Sequence, residues 1–265
     1  MVTVDTNWLV SHLNDDNIII LDTRGQIMYR FGHIKNSIPV SIDQFISIAD
    51  NGSNLVLEQS AASNLFHKLG LDYKKKIIVY GEYQDPTAAR IVWTLMYYGY
   101  SNVKLLNASY GSWVKSGLPI DKQEPLGTKI QHQSKTTNDD ILNENIKINQ
   151  TIRADAQMIK EKQNDPNVII IDARTPQEHF QARIPGSILN NWEDGLNNDK
   201  IKDKEELLHD FSSNGINIDK EIICYCHSGM RAAHKYIQFR NAGFEKVRVY
   251  DGSIIDWAQR HNPLR

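Results

Sequence analysis

The chain has 265 residues, 40 % of them hydrophobic, enough to build sizeable cores and to fill one large or two ordinary domains. Its formal net charge is −2 and the basic residues are scattered, so neither a nucleic-acid footprint nor a polybasic membrane surface stands out. The two cysteines cannot form a disulfide framework, and a bridge between Cys224 and Cys226 would be badly strained in an extended strand, so a reduced, cytoplasmic setting is expected.

From the N-terminus, "MVTVDTNWLVSHLNDD" lacks both a basic region and a continuous apolar run, and no secretory signal is expected. No later apolar run approaches the roughly 20 residues that span a bilayer. "NIIILDTR" (17–24), "KKIIVYGE" (75–82) and "VKLL" (103–106) contain short apolar runs without polar alternation, as expected of strands buried on both faces of a parallel sheet. "TAARIVWTLMYYG" (87–99) reads as a helix closed by Gly99, and Trp113 in "GSWVKSGLP" (111–119) is assigned to the core. "KKK" at 74–76 is expected to be a solvated turn before a strand. The polar stretch from about Asp121 to Asn145 reads as an exposed linker.

Beyond that linker the chain repeats itself. "NVIIIDAR" (167–174) answers 17–24, "KEIICYCH" (220–227) answers 75–82, and "RAAHKYIQFRNAGFEKVRVY" (231–250) answers 87–106. "IDWAQRHNP" (255–263) answers 111–119 and sets Trp257, also a core residue, against Trp113. The landmarks keep their order at an offset of about 145 residues, so the chain is two copies of one domain. Alternation of strand and helix predicts an α/β fold: two tandem domains, each a mainly parallel sheet flanked by helices. The expected boundaries are 1–122 for the first domain, 123–145 for the linker and 146–265 for the second.

"CHSGMR" (226–231) lies between a buried strand and a helix. Backbone N–H groups of His227, Ser228, Gly229 and Met230 can converge there, and the helix N-terminus adds its positive end. Both favour a thiolate. Gly229 permits a backbone conformation that side chains resist, and Arg231 offers a guanidinium fork to an anion. Cys226 is therefore placed as a nucleophile facing an anionic substrate, while Cys224 is read as a small core residue. A metal site is disfavoured, because no second cysteine pair exists and His227 and His234 lack a ligand spacing with Cys226. The Cys-x4-Arg spacing is one residue shorter than the Cys-x5-Arg loop of cysteine phosphatases. A shorter loop favours a persulfide over a phosphocysteine.

With these residues in place, nearly the whole chain resembles the rhodanese family, specifically its tandem-domain sulfurtransferases. The likeness rests on "DTR" and "DAR" after the first strands, on "GHIKNSI" (32–38) and "ARIPGSI" (182–188), on the Cys-x4-Arg loop and on "YDGSIIDW" (250–257). The resemblance implies a catalytically silent N-terminal copy, an active C-terminal copy and an active site between them. In the first copy Gly81 stands for Cys226 and Thr87 for Arg231, so that half cannot carry sulfur. The implied donors are thiosulfate, favoured, or 3-mercaptopyruvate. The implied acceptors are cyanide, a thiol or a sulfur-acceptor protein. No cofactor, metal, nucleic acid or membrane partner is expected. A persulfide carrier or sensor, and a Cys-dependent phosphatase or arsenate reductase, are the alternative functions.

Departures from the family's pattern qualify the site. Ala182 and Arg183 replace the usual Gly-His, leaving Arg183 as either a second substrate-binding guanidinium or an ordinary surface residue. His227 replaces the arginine common in thiosulfate users, which makes the pocket less positive. His234 is assigned to packing or capping. Asp172, Arg174 and Glu178, like Asp22 and Arg24, are expected to form a buried polar network beneath the loop.

Overall fold

A computed structural model describes residues 1–82, 85–122 and 146–265. The expected linker, 123–145, lies outside the described residues. The chain divides into two compact units: one comprises Val4–Ile46 and Val56–Asn149, the other Met1–Thr3, Ser47–Leu55 and Gln150–Arg265.

Each unit is built on one five-stranded sheet. In the first, β1 (Thr3–Val4), β2 (Ile18–Asp22), β3 (Ser37–Pro39), β4 (Lys76–Tyr80) and β5 (Val103–Leu106) lie in the order β1-β5-β4-β2-β3. In the second, β6 (Arg153–Ala154), β7 (Val168–Asp172), β8 (Ile188–Leu189), β9 (Glu221–Tyr225) and β10 (Val247–Tyr250) repeat that order as β6-β10-β9-β7-β8. The central pairs are parallel, Ile19 beside Ile77 and Ile169 beside Ile222. The apolar strands are thus central, with helices over their faces, as the absence of alternation implies.

The cores correspond residue by residue. Ile20, Ile34, Ile78, Tyr80 and Trp113 cluster in one unit, as do Ile170, Ile184, Ile223, Tyr225 and Trp257 in the other. Both tryptophans are fully buried, and each indole N–H donates to a proline carbonyl six residues on, Pro119 at 2.9 Å and Pro263 at 2.8 Å. Deep in each unit a carboxylate at the end of the first long strand receives a guanidinium and a tyrosine hydroxyl. Asp22 takes Arg24 Nη2 at 2.6 Å and Tyr80 at 2.5 Å; Asp172 takes Arg174 Nη2 at 2.6 Å and Tyr225 at 2.7 Å. The same arginines reach the carbonyls of Gly32 and Ala182. The network ties the segment after β2 or β7 to the strand that precedes the loop.

Three expectations need correction. Glu178 does not join this buried network; it is partly buried and pairs with Arg231. The polar stretch begins as strand, because Ile120 and Asp121 pair with Ile34 and His33. Lys76 is the first residue of β4, its ammonium 4.1 Å from the Trp8 ring, so only Lys74 and Lys75 remain in the turn.

Cys224 is fully buried inside β9, and burial pushes its thiol well above the ordinary range. Cys224→Ser would bury a hydroxyl in that apolar setting. It is expected to cost about 1–3 kcal/mol of stability, seen in urea unfolding, with turnover per folded molecule nearly unchanged. A variant that unfolds like the parent but loses turnover would contradict the core assignment.

Candidate active site

β9 ends at Tyr225, and Cys226 follows immediately, 1 % exposed. The helix α3, second-copy counterpart of α1 (Thr87–Tyr97), begins at Met230 and runs to Ala242; between the two lies the short α2 (Pro176–Gln181). Gly229 caps α3 at φ +90°, in the left-handed region where a side chain is strained. That conformation turns the Gly229 N–H onto the Cys226 sulfur at 3.1 Å. Negative charge on this sulfur therefore meets a backbone donor at the start of a helix of 13 residues.

The floor of the loop is made by a segment distant in sequence. The Cys226 N–H donates to Ser253 Oγ at 3.0 Å, and that hydroxyl donates in turn to the Tyr250 carbonyl at 2.8 Å and lies 3.9 Å from the Cys226 sulfur. Ser253 is fully buried and adopts φ +55°, uncommon for a non-glycine residue. It opens α4 (Ser253–Gln259), whose next two N–H groups, of Ile254 and Ile255, donate to the carbonyls of Cys226 and His227 at 3.2 and 3.4 Å. Both polar groups of the Cys226 backbone are thus fixed, and the sulfur is held relative to α3 and α4 alike. In the sequence "YDGS" stands only as part of a closing motif, and nothing in it marks Ser253 as a site residue.

Arg231, half-buried in the first turn of α3, points both Nη atoms at Glu178, Nη1 to Oε2 at 2.6 Å and Nη2 to Oε1 at 2.8 Å. Glu178 occupies the third position of α2, where it closes a capping box with Thr175. Its Oε2 also accepts from the Thr175 N–H and hydroxyl at 3.1 and 3.0 Å. The bonds from Arg231 hold this carboxyl down at about 2, so the pair's contribution is complete above the ordinary value of 4.5 and is lost as pH falls toward 2. Arg231 is held above its ordinary value by Glu178 first, against the opposing effect of burial.

Of the other expected site residues, His227 is exposed and Ser228 partly buried, both in the turn after the sulfur, and Met230, partly buried, opens α3. The Arg183 backbone pairs with Arg265 in both directions at 3.0 Å, and its Nη1 meets the His179 carbonyl at 3.4 Å. His234 packs edge-on against Trp192, with ring centroids 4.9 Å apart, and contacts Gln238. Burial lowers it to about 3, so it stays neutral through the physiological range. Beneath the loop, Asp172 also meets His179 Nδ1 at 2.9 Å. Among the described residues no group of three or more His, Cys, Asp or Glu could hold a metal ion. No helix among them is long and apolar enough to cross a membrane.

The first copy keeps the frame without the chemistry. Gly81 follows β4 as Cys226 follows β9, and its carbonyl accepts from the Tyr110 N–H as that of Cys226 accepts from Ile254. The space for a side chain is taken, however: a Cβ at Gly81 would lie 2.7 Å from Thr23 Oγ1 and 3.4 Å from the Ala88 methyl. Ser109, counterpart of Ser253, keeps an ordinary φ of −75° and caps its own helix through the Ser112 N–H. Introducing Gly81→Cys into a Cys226→Ser background is therefore expected to restore no sulfur loading and to cost about 1–3 kcal/mol from overpacking. Recovery of even a tenth of the parent rate would show that the frame alone suffices.

Comparison with known proteins follows the same division. A family description, the rhodanese-like domain, matches residues 5–116 and again 155–260. The chain is 25 % identical to the sulfur carrier protein TtuD of Thermus thermophilus, over 97 % of this chain and 93 % of the relative. It is 24 % identical to a thiosulfate sulfurtransferase of Corynebacterium glutamicum, over 96 % and 86 %. Among solved structures, the anaerobic ergothioneine biosynthesis enzyme of Chlorobium limicola, in complex with trimethyl histidine, superposes with a TM-score of 0.81 at 18 % identity, covering 99 % of this chain and 69 % of that one. YnjE superposes at 0.83, also at 18 % identity, covering 99 % and 68 %.

Proposed function

The chain belongs to the rhodanese family and is of the sulfurtransferase kind, and from that premise we propose that it moves sulfane sulfur from thiosulfate to a thiophilic acceptor through a persulfide on Cys226. The observation that carries this reading is the buried Cys226 sulfur, with the Gly229 N–H at 3.1 Å and the Ser253 hydroxyl at 3.9 Å, at the start of a loop that closes on Arg231.

In the first half-reaction the Cys226 thiolate attacks the outer sulfur of thiosulfate. The new S–S bond forms as the outer sulfur's bond to the sulfonate sulfur breaks, and the bonding pair leaves with sulfite. The thiolate's charge departs with sulfite, while the outer sulfur keeps the negative charge it had in thiosulfate, where the Gly229 N–H and the helix N-terminus stabilise it. In the second half-reaction an acceptor, cyanide or a thiolate, attacks that outer sulfur and regenerates the Cys226 thiolate. His227, Ser228, Gly229, Met230 and Arg231 form the substrate-binding loop in this reading, and no cofactor is required. Donor and acceptor react in turn with one sulfur atom, so ping-pong kinetics are expected.

Steady-state rates with thiosulfate and cyanide varied together test this. Parallel double-reciprocal lines support the covalent route. Intersecting lines, which require both substrates bound at once, would overturn it. Relatives named as a sulfur carrier and as a thiosulfate sulfurtransferase support sulfur handling, and a protein thiol as acceptor fits the same chemistry.

A further inference from the structure

Arg231 supplies the only permanent positive charge of loop 226–231, and both of its Nη atoms are taken by Glu178. Arg183 turns its Nη1 to the His179 carbonyl. The loop therefore presents the Gly229 N–H and a helix N-terminus at the sulfur, but its guanidinium is paired to a carboxylate. Glu178 is itself fixed, since Thr175 donates to the same Oε2 that receives Arg231 Nη1. A small dianion drawn to Arg231 must share it with this carboxylate and meets a like charge a few ångströms beyond. A singly charged donor that needs only the loop's N–H groups meets much less opposition.

Resting on the sulfurtransferase reading above, we propose that Glu178 is a specificity-determining residue: by occupying the fork of Arg231 it disfavours doubly charged inorganic donors relative to organic hydropersulfides. The hydropersulfide reaction balances without a co-reactant. The Cys226 thiolate attacks the outer sulfur of R–S–SH, the R–S bond to that sulfur breaks, and R–S⁻ leaves while Cys226 becomes Cys–S–SH. Thiosulfate remains a donor, held back at the binding step.

The test compares thiosulfate with cysteine hydropersulfide in the parent protein, in Glu178→Gln and in Glu178→Gln/Arg231→Ala. Glutamine keeps the capping box with Thr175, so α2 is preserved, but turns an amide N–H₂ toward Arg231 and frees part of its fork. The ratio of kcat/KM for thiosulfate to that for the hydropersulfide is expected to rise about tenfold in Glu178→Gln, chiefly through a lower KM for thiosulfate. In the double variant the gain is expected to vanish. Should the glutamine variant fail to fold, Glu178→Asp, which withdraws the carboxylate by one methylene, is expected to move the ratio the same way. An unchanged or lowered ratio in a folded variant, with Cys226 still loaded by both donors, overturns the role of Glu178 alone. Failure of both donors to load Cys226 in the parent overturns the sulfurtransferase reading, and this inference with it.

Discussion

Replacing Cys226 by Ser is expected to lower sulfur transfer by at least ~1000-fold while leaving the fold intact, because the nucleophile of a covalent mechanism has no substitute. The size of the effect follows from the chemistry. A serine hydroxyl at this position is far less ionised than a thiol and cannot form the S–S bond that carries the cargo. The intact fold follows from the geometry. The side chain is 1 % exposed, serine is close to cysteine in size, and the Gly229 N–H at 3.1 Å can serve an oxygen as it serves the sulfur. Urea unfolding should agree with the parent to within about 1 kcal/mol. A variant that keeps near-parent rates would show that another group carries the sulfur.

The largest effect on stability is expected from Asp172→Ala. The carboxylate is fully buried and accepts from Arg174 Nε at 2.9 Å, Arg174 Nη2 at 2.6 Å, the Arg174 N–H at 3.1 Å and the Tyr225 hydroxyl at 2.7 Å, with His179 Nδ1 at 2.9 Å. Its removal strands a guanidinium that is only 4 % exposed. An uncompensated buried charge costs about 3–5 kcal/mol, a large part of the roughly 5–15 kcal/mol that holds a domain folded. The urea midpoint should fall by that energy divided by the slope, with the slope itself unchanged. Despite the opposing effect of burial, Arg174, Tyr225 and His179 hold this carboxyl below its ordinary 3.8. Its contribution is therefore present above that pH and is lost as pH falls below it, so parent and variant should converge in strong acid. A loss under about 1 kcal/mol at neutral pH would mean that the network is solvated in solution.

Much of this arrangement was legible before any coordinates. The repeat announces two copies, and apolar runs without alternation announce parallel strands, because a strand covered on both faces has no solvent side to mark. Cys226 could be singled out because a strand, a glycine and a helix bracket it within a few residues. Ser253 could not. Its hydroxyl meets Cys226 across 27 residues, and its value lies in a positive φ that serine does not advertise. Glu178 was placed in the wrong cluster for a related reason. Its spacing from Asp172 and Arg174 suggested a shared network, whereas its partner Arg231 lies 53 residues away. A local cue was available: Thr175 with Glu178 three residues later is a capping box, which puts the carboxylate at a helix start rather than in a core. The grouping of Ser47–Leu55 with Gln150–Arg265 was equally hidden. Sequence order reports which strands follow one another, not with which unit a connecting segment groups.

The central claim is that Cys226 carries the transferred sulfur, and intact-protein mass after incubation with thiosulfate tests it most directly. The expected result is a gain of one sulfur atom, removed by cyanide and absent in Cys226→Ser. No gain from thiosulfate, or an equal gain in Cys226→Ser, would contradict it.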